Sequence, residues 1–367
     1  MPRLPIEHAT TTTVRMNGRE LLAFGGCNYI GLAHEPEVHA ALVAALAEYG
    51  ISTTASRETT GNTRVHEELE AALAAFTGQE AAILSAEGYT ANFAACQGLA
   101  DTCRVALIDS HAHRSLRNAA TAAGMFVFEY EHLNANSAAW LARQNADAGV
   151  AIMTDSVFAA DGAVAPLREL LGVLPDARSA LVIDDCHGFA VLGPRGEGAI
   201  RHFGLDDERV VMTTTLAKGL GCYGGAVLGR RGLVQKVQDN AWVYRSSTPV
   251  PPPLAAAALA AVGVMERGGV ERVARLRANV ERVSAGLRRL GLLGTRSADV
   301  PIPIFTFWFE PGAAMQTVYE RLLEAGVLAP LIAYPGGPTE HYFRVVVNAM
   351  HTEADVERLL SALRAAV

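Results

Sequence analysis

Two lysines, Lys218 and Lys236, stand against twenty-nine arginines in this 367-residue chain. Arginine carries surface charge as well as lysine does, so a chain this biased has kept lysine where charge alone is not the requirement. What arginine cannot do is give up a proton readily and form an imine with an aldehyde. Lys218 lies in Thr213-Thr214-Thr215-Leu216-Ala217-Lys218-Gly219-Leu220-Gly221, a glycine-punctuated stretch directly after an apolar strand pattern. An amine on a tight loop at the end of a strand has the setting of an imine-forming lysine. Lys236, in Val234-Gln235-Lys236-Val237-Gln238, has the setting of an ordinary surface-helix residue.

One strand earlier, Leu181-Val182-Ile183 runs into Asp184-Asp185-Cys186-His187-Gly188. A carboxylate at such a place can bind a metal, hold a ribose or cap a helix. Next to an imine-forming lysine it gains a sharper role. A buried Asp that keeps a pyridine nitrogen protonated lets pyridoxal phosphate (PLP) draw electrons from a carbanion. Asp184 is the candidate for that role and Asp185 for a structural one. Far along the chain, Arg344 sits among β-branched and aromatic residues in Tyr342-Phe343-Arg344-Val345-Val346. A guanidinium buried there needs an anionic partner, either an internal carboxylate or one brought by a substrate.

These residues need a scaffold, and the pattern around them supplies one. From about residue 63 to 230, helical patterns alternate with short apolar runs: Ala81–Leu84, Val105–Ile108, Val150–Met153, Leu181–Ile183 and Val210–Met212. Such alternation predicts an α/β fold with a mainly parallel sheet covered by helices on both faces. Several runs end in polar residues (Asp109, Asp155, Asp184, Thr215), which would converge on a crevice at the carboxyl edge of the sheet. Pro249-Val250-Pro251-Pro252-Pro253 then breaks the chain before a long Ala-rich helix and a smaller α+β unit. A Pro-started helix from Pro36 to Ala47 precedes the sheet. The reading is an N-terminal segment (1–50), a large domain (51–250) and a small C-terminal domain (251–367).

Composition narrows the function. The formal charge of −7 comes with no basic stripe, so no nucleic-acid partner is expected. Five cysteines, odd in number and without CxxC spacing, suit free thiols in a reducing cytoplasm. The N-terminus, Met1 to His8, has no apolar core of a signal peptide, and the longest apolar stretch, Leu254 to Met265, is too short to span a bilayer. No G-x-G-x-x-G opens a helix after the first strand, which argues against a dinucleotide cofactor.

Asp184-x-x-His187, Thr215-Leu216-Ala217-Lys218-Gly219-Leu220-Gly221 and Gly224-Gly225-Ala226-Val227-Leu228 together resemble the α-oxoamine synthase family of fold-type-I, aspartate aminotransferase-like PLP enzymes. That family includes 8-amino-7-oxononanoate synthase, serine palmitoyltransferase and the quorum-sensing autoinducer synthases. Asn28-Tyr29-Ile30-Gly31-Leu32 is similar to its N-terminal NDYLGL segment, and Thr154-Asp155-Ser156-Val157-Phe158 to its central motif. Ala55 to Asn62 is similar to serine palmitoyltransferase, and Gly193-Pro194-x-Gly196-x-Gly198 to the autoinducer synthases. The resemblance covers nearly the whole chain.

It implies a role for each matching position. Lys218 would carry the cofactor and serve as acid and base at the substrate Cα. Asp184 would pair with the pyridinium nitrogen, His187 would approach the phenolic oxygen and His113 would stack on the ring. Gly88 and Tyr89 would form the phosphate turn at a helix N-terminus, where free N–H groups favour an anion. Thr215 would add a hydroxyl to it. Ser247 and Thr248 would reach the phosphate of a neighbouring subunit, giving a homodimer with shared active sites. Arg344 would clamp the amino-acid carboxylate, with Cys27 and Asn28 where the family places Asn and Asp.

Four departures bear on the substrate. Cys27 stands for Asn, Glu87 for the Ser of the phosphate turn, and Glu58 where relatives carry His, Asn or an apolar residue. Leu331-Ile332-Ala333-Tyr334 occupies the region where some members hold an acyl-chain carboxylate with arginine, which disfavours a pimeloyl-type acyl group. The implied activity is a C–C bond-forming transferase condensing an α-amino-acid carbanion with an acyl-CoA or other thioester. One alternative is γ-elimination from S-adenosylmethionine or a similar amino acid, with bond formation to a non-thioester acceptor in specialised metabolism. Another is aminotransfer.

Overall fold

The computed structural model describes residues 5–293, 300–309, 313–334 and 336–367. Met1–Leu4 of the N-terminal reading lie outside them. The chain opens with three short strands, β1 (His8–Ala9), β2 (Thr13–Met16) and β3 (Arg19–Ala23). Asn17 and Gly18 link β2 to β3 with φ of 49° and 68°, the left-handed pair that a two-residue hairpin turn demands. Helix α1 (Pro36–Tyr49) begins with proline at its first turn and stops at Gly50, where φ is 71°. Helix α2 (Arg64–Thr77) is capped by Thr63 and His66 and ends at Gly78 in the left-handed region.

The large sheet follows in alternation with helices. In chain order the elements are β4 (Ala81–Ser85), α3 (Gly88–Leu99), β5 (Val105–Asp109), α4 (Arg114–Ala122), β6 (Phe126–Tyr130) and α5 (Ala135–Gln144). Then come β7 (Val150–Asp155), α6 (Leu167–Gly172), β8 (Ala180–Asp184), α7 (Ala199–Phe203), β9 (Val210–Thr215) and β10 (Gly225–Gly229). The strand order is β4-β10-β9-β8-β7-β5-β6. Strand β10 is antiparallel to both of its neighbours, and the other pairings are parallel. The reason is length. The link from Thr215 to Gly225 is too short for a parallel crossover and must turn back at the carboxyl edge, carrying Lys218 with it.

Side chains alternate across the sheet as pleating requires. Leu107, Ile152, Leu181 and Ile183 enter one buried cluster, and Ala106, Ala151, Met153 and Val182 enter the other, beneath α3 and α4. The strand register sets Asp155 beside Asp184, Asp184 beside Thr213, and Gly225 between Thr215 and Ser85. The polar strand ends therefore share one edge.

After α8 (Arg231–Asn240) and α9 (Trp242–Arg245) comes α10 (Pro252–Arg289), 38 residues long. By length and apolarity alone it would pass for a membrane-crossing helix, but it packs on α1 and α2 with Ala255, Ala258, Ala261, Val262 and Met265 buried. The remainder is β11 (Ile304–Phe307), α11 (Ala313–Glu324), β12 (Val327–Leu328), β13 (Leu331–Ile332), β14 (Tyr342–Val346) and α12 (Glu353–Ala366). Strands β11, β14 and β13 form an antiparallel sheet. Strand β12 instead runs parallel to β3 and extends the N-terminal ribbon. Main-chain bonds from Phe24 N–H to Leu328, Val346 N–H to Phe24 and Ala349 N–H to Tyr29 fasten the loop after β3 to this unit. That fastening brings Cys27 and Tyr29 against Arg344. The five cysteines are free.

Candidate active site

A cavity opens where the polar strand ends meet. Its wall includes Gly88, Tyr89, His113, Asp155, Asp184, His187, Thr215 and Lys218. Lys218 comes from the loop after β9, and its Nζ lies 2.8 Å from His187 Nε2. On the other side of the imidazole, Nδ1 lies 2.6 Å from the hydroxyl of Tyr29. Burial, and next the positive Lys218, hold His187 well below the usual histidine range, so its ring is neutral. Burial also works against a charge on Lys218. The thiols of Cys186 and Cys27 and the carboxylates of Asp184 and Asp155 work for it, and the balance lies above the ordinary lysine value. The amine is thus charged until a reacting partner takes its proton.

Asp184 ends β8 and points up into the cavity floor. It accepts from Asn92 Nδ2 at 2.7 Å and from Cys186 N–H at 3.0 Å. Asn92 is wholly buried on α3; its second N–H goes to Ser115 and its oxygen takes the Thr213 hydroxyl. Ser115 in turn lies 2.6 Å from His113 Nδ1. His113 precedes α4, with its backbone N–H on Asp155, and burial lowers its pKa, so it too is neutral. Asp155 is pushed well above the usual carboxylate range by burial and then by Asp184. Asp185 faces away: it accepts the Ser156 hydroxyl at 2.5 Å and the Ala199 N–H at 2.9 Å, opening α7.

Tight glycine packing shapes the upper wall. A Cβ on Gly88 would stand 2.6 Å from Thr215 Cβ, and one on Gly225 would collide with the Glu87 backbone. Only glycine lets β9, β10 and the start of α3 meet there. The first residues of this 12-residue helix and Thr215, whose hydroxyl rests on the Gly224 carbonyl at 3.2 Å, then line the same cavity. Glu87, immediately before α3, lines it as well. This donor set fits PLP: N–H groups and a hydroxyl for the phosphate, a buried carboxylate for the ring nitrogen, a neutral imidazole beside the ring and an amine for the aldehyde.

Arg344, on β14, donates from Nε to the Ala159 carbonyl at 2.8 Å, and its guanidinium faces Tyr29 and Cys27. Among the described residues no carboxylate pairs with it. Cys27, one of the two residues expected at the substrate, faces this arginine. The Asn28 side-chain oxygen accepts Ala33 N–H at 3.3 Å and closes the turn that presents its neighbours. Ser247 hydrogen-bonds the Val243 carbonyl, Thr248 is exposed, and neither lines the cavity of its own chain. Lys236 pairs with Asp101 at the surface. Asn92 and Ser115 are absent from the expectations, although Asn92 stands four residues after Gly88, one helical turn along the same face.

The family model for aminotransferases of class I and II matches residues 19–363. The chain belongs to that family. Within it, the relatives mark the α-oxoamine synthase branch. The chain is 36% identical to an 8-amino-7-oxononanoate synthase of Thioalkalivibrio sulfidiphilus, over 98% of this chain and 92% of that one. Its fold superposes on the serine palmitoyltransferase of Sphingomonas wittichii with a TM-score of 0.92 at 26% identity, covering 99% and 91% of the two chains. A high-resolution structure of SPT with the PLP internal aldimine gives a TM-score of 0.92 at 24% identity, covering 99% and 92%. The family fold is thus the fold-type-I architecture.

Proposed function

We propose that this chain is a PLP-dependent, C–C bond-forming transferase that condenses an α-amino acid with an acyl thioester. One observation supports the reading above the rest: a half-buried lysine facing a neutral histidine, with Asp184 on the same cavity wall and, against Tyr29 and Cys27, an arginine without a carboxylate partner among the described residues. When bound, PLP supplies an electron-poor ring that spreads the negative charge of a carbanion at the substrate Cα. Asp184, fixed by Asn92, would hold the ring nitrogen protonated. His113 would lie against the ring face as a neutral group. The start of α3 and Thr215 would hold the phosphate.

The residues also divide the work on the amino acid. Arg344 would grip its carboxylate bidentately, which orients the Cα substituents. Lys218, released from the cofactor, would be the base and acid at Cα, within reach of a ring it had just left. A second concavity adjoins the first, sharing Tyr89, His113, Asp155 and Ala159 and adding His111, Arg114, Asn118 and Tyr334. We assign the acyl donor to it. Tyr334 is the part of the departing Leu331–Tyr334 segment that reaches this wall.

The active unit under this reading is a homodimer. Ser247 and Thr248 stand outside their own chain's cavity, while Tyr89 and Tyr223 at its mouth remain 39% and 44% exposed. A neighbouring copy that seats its Ser247–Thr248 segment there would complete the phosphate site.

Titration of purified holoenzyme with single amino acids, with and without acyl-CoA, tests the function through visible absorbance. A long-wavelength band that appears with one small amino acid and strengthens with acyl-CoA supports it. A response to S-adenosylmethionine that ignores acyl-CoA, or conversion of a 2-oxo acid in its place, would overturn it in favour of elimination or aminotransfer.

A further inference from the structure

We infer that Tyr29 is a positioning residue that fixes His187 and partners its Nδ1 whether that nitrogen donates or accepts, tying the arginine side of the active site to the lysine side. The inference deepens the proposed function and rests on Lys218 being the residue that carries the cofactor. Its basis is a single file of polar atoms. Lys218 Nζ is 2.8 Å from His187 Nε2, and His187 Nδ1 is 2.6 Å from Tyr29 Oη. Tyr29 is completely buried, and its hydroxyl faces Cys27 and Arg344.

The donor count decides the tautomer. A neutral imidazole has one donor nitrogen and one acceptor nitrogen. A lysine ammonium has donors only, so with free Lys218 the Nε2 atom must accept and Nδ1–H must donate to Tyr29. The phenol then turns its own proton away from His187. Arg344 is also a donor only, which leaves the Cys27 sulfur as the acceptor on that side. Were Lys218 engaged by the cofactor's carbonyl and an anionic oxygen of the cofactor within reach of Nε2, the demand would reverse: Nε2 would donate and Nδ1 would accept from Tyr29. This exchange moves one proton from Nδ1 to Nε2 and rotates one hydroxyl, with no change of net charge. A phenol serves both states because it donates or accepts. A phenylalanine of nearly the same volume serves neither.

The scaffold holds the hydroxyl in place for this. Tyr29 is pinned by its own carbonyl, which takes Ala349 N–H at 2.8 Å, and by the turn at Gly31, whose φ is 84°. His187 lies in the buried turn that directly follows the strand supplying Asp184. Movement of either ring is therefore small, and the adjustable element is the proton.

The test uses 15N-histidine NMR and visible spectroscopy on the whole protein, with His187→Asn to identify the His187 signals among the eleven histidines. Cofactor-free wild type should show His187 protonated at Nδ1, and holoenzyme should show it protonated at Nε2. Tyr29→Phe should still bind PLP and, because Lys218 still requires Nε2 as acceptor, should keep the Nδ1–H state without cofactor, but with the Nδ1 shift of a nitrogen that has lost its hydrogen bond, and its holoenzyme visible band should move toward that of His187→Asn. A folded Tyr29→Phe protein with wild-type nitrogen shifts and a wild-type band would overturn the inference. If Tyr29→Phe does not fold, the wild-type spectra alone decide: one and the same tautomer with and without cofactor overturns it. Failure of the underlying reading has a different signature, a Lys218→Ala protein that keeps the wild-type visible band.

Discussion

The side chain of Asn92 donates to Asp184 at 2.7 Å, and that one bond joins helix α3 to the end of strand β8. Neither residue is adjacent to the other in the sheet or in sequence. Asn92 also takes the Thr213 hydroxyl at 2.5 Å, so three elements, α3, β8 and β9, are tied at the cavity floor. A carboxylate held this way keeps its position.

Replacing Asn92 with Ala should therefore loosen Asp184 and leave a buried hydroxyl without its acceptor. The expected loss is about 1–3 kcal/mol of stability, the usual cost of an unsatisfied buried polar group. Urea unfolding measures it. PLP affinity should weaken in the same variant, whereas a stable protein with wild-type affinity would show that Asn92 merely fills space.

Lys218 and Lys236 offer a direct contrast because the chain has no other lysine. Borohydride reduction of holoenzyme, followed by peptide mass mapping, should fix the cofactor on the Lys218 peptide alone. Lys218→Ala should lose the visible band of the bound cofactor and the activity. Lys236→Ala should change stability by less than about 1 kcal/mol, as for other exposed ion pairs. Label on Lys236 would remove the central assignment.

The parts legible in the sequence are those whose local pattern and spatial role coincide. Lys218, Asp184 and Thr215 each follow an apolar run that becomes a buried strand, so their place at the sheet edge follows from the run. Asn92 was hidden because its role comes from the third dimension, a polar residue on a helix face otherwise lined by Ala91, Ala95 and Cys96. Strand β6 was missed because it is an edge: Phe126, Phe128 and Glu129 face solvent and blur the buried-strand signature. The pairing of Leu22 with Val327 joins the chain's two ends, and nothing local in either segment announces it. That same closure is what puts Cys27 and Tyr29 beside Arg344.

Arg344→Ala should act mainly on the amino acid. A charge-assisted bond to a carboxylate is worth about 1.5–3 kcal/mol, so KM for the amino acid should rise roughly tenfold to a hundredfold. Arg344→Lys should recover little of it, because an ammonium lacks the planar fork. Steady-state kinetics with the acyl donor saturating separates this from any effect on kcat. An unchanged KM would point to another carboxylate clamp.

Gly88→Ala should strike the cofactor site through packing alone. The added methyl would stand 2.6 Å from Thr215 Cβ, closer than van der Waals contact allows, so α3 or β9 must shift. Either movement displaces the helix start or the hydroxyl that, under the proposed function, would hold the phosphate. PLP dissociation, followed by fluorescence, should be markedly weaker-binding in the variant, while Gly172→Ala, where the same methyl meets open space, should bind as wild type.

Asp185 predicts the sign of a pH effect on stability. Burial pushes its carboxyl up to about 7 in the folded chain, against an ordinary value of 3.8, despite the hydrogen bonds from Ser156 and Ala199 that favour the charge. Between those two pKa values the folded state holds a proton that the unfolded state has released, so stability falls as pH rises. The contribution is fully present below about 3.8, is lost progressively up to about 7, and is constant above that. Asp185→Asn removes the titrating proton while keeping the shape. Denaturant midpoints measured from pH 4.5 to 8 should fall more steeply for wild type than for the variant, and the two curves should run parallel above about pH 7. Equal slopes below that pH would mean that Asp185 is charged throughout, with Ser156 and Ala199 outweighing its burial.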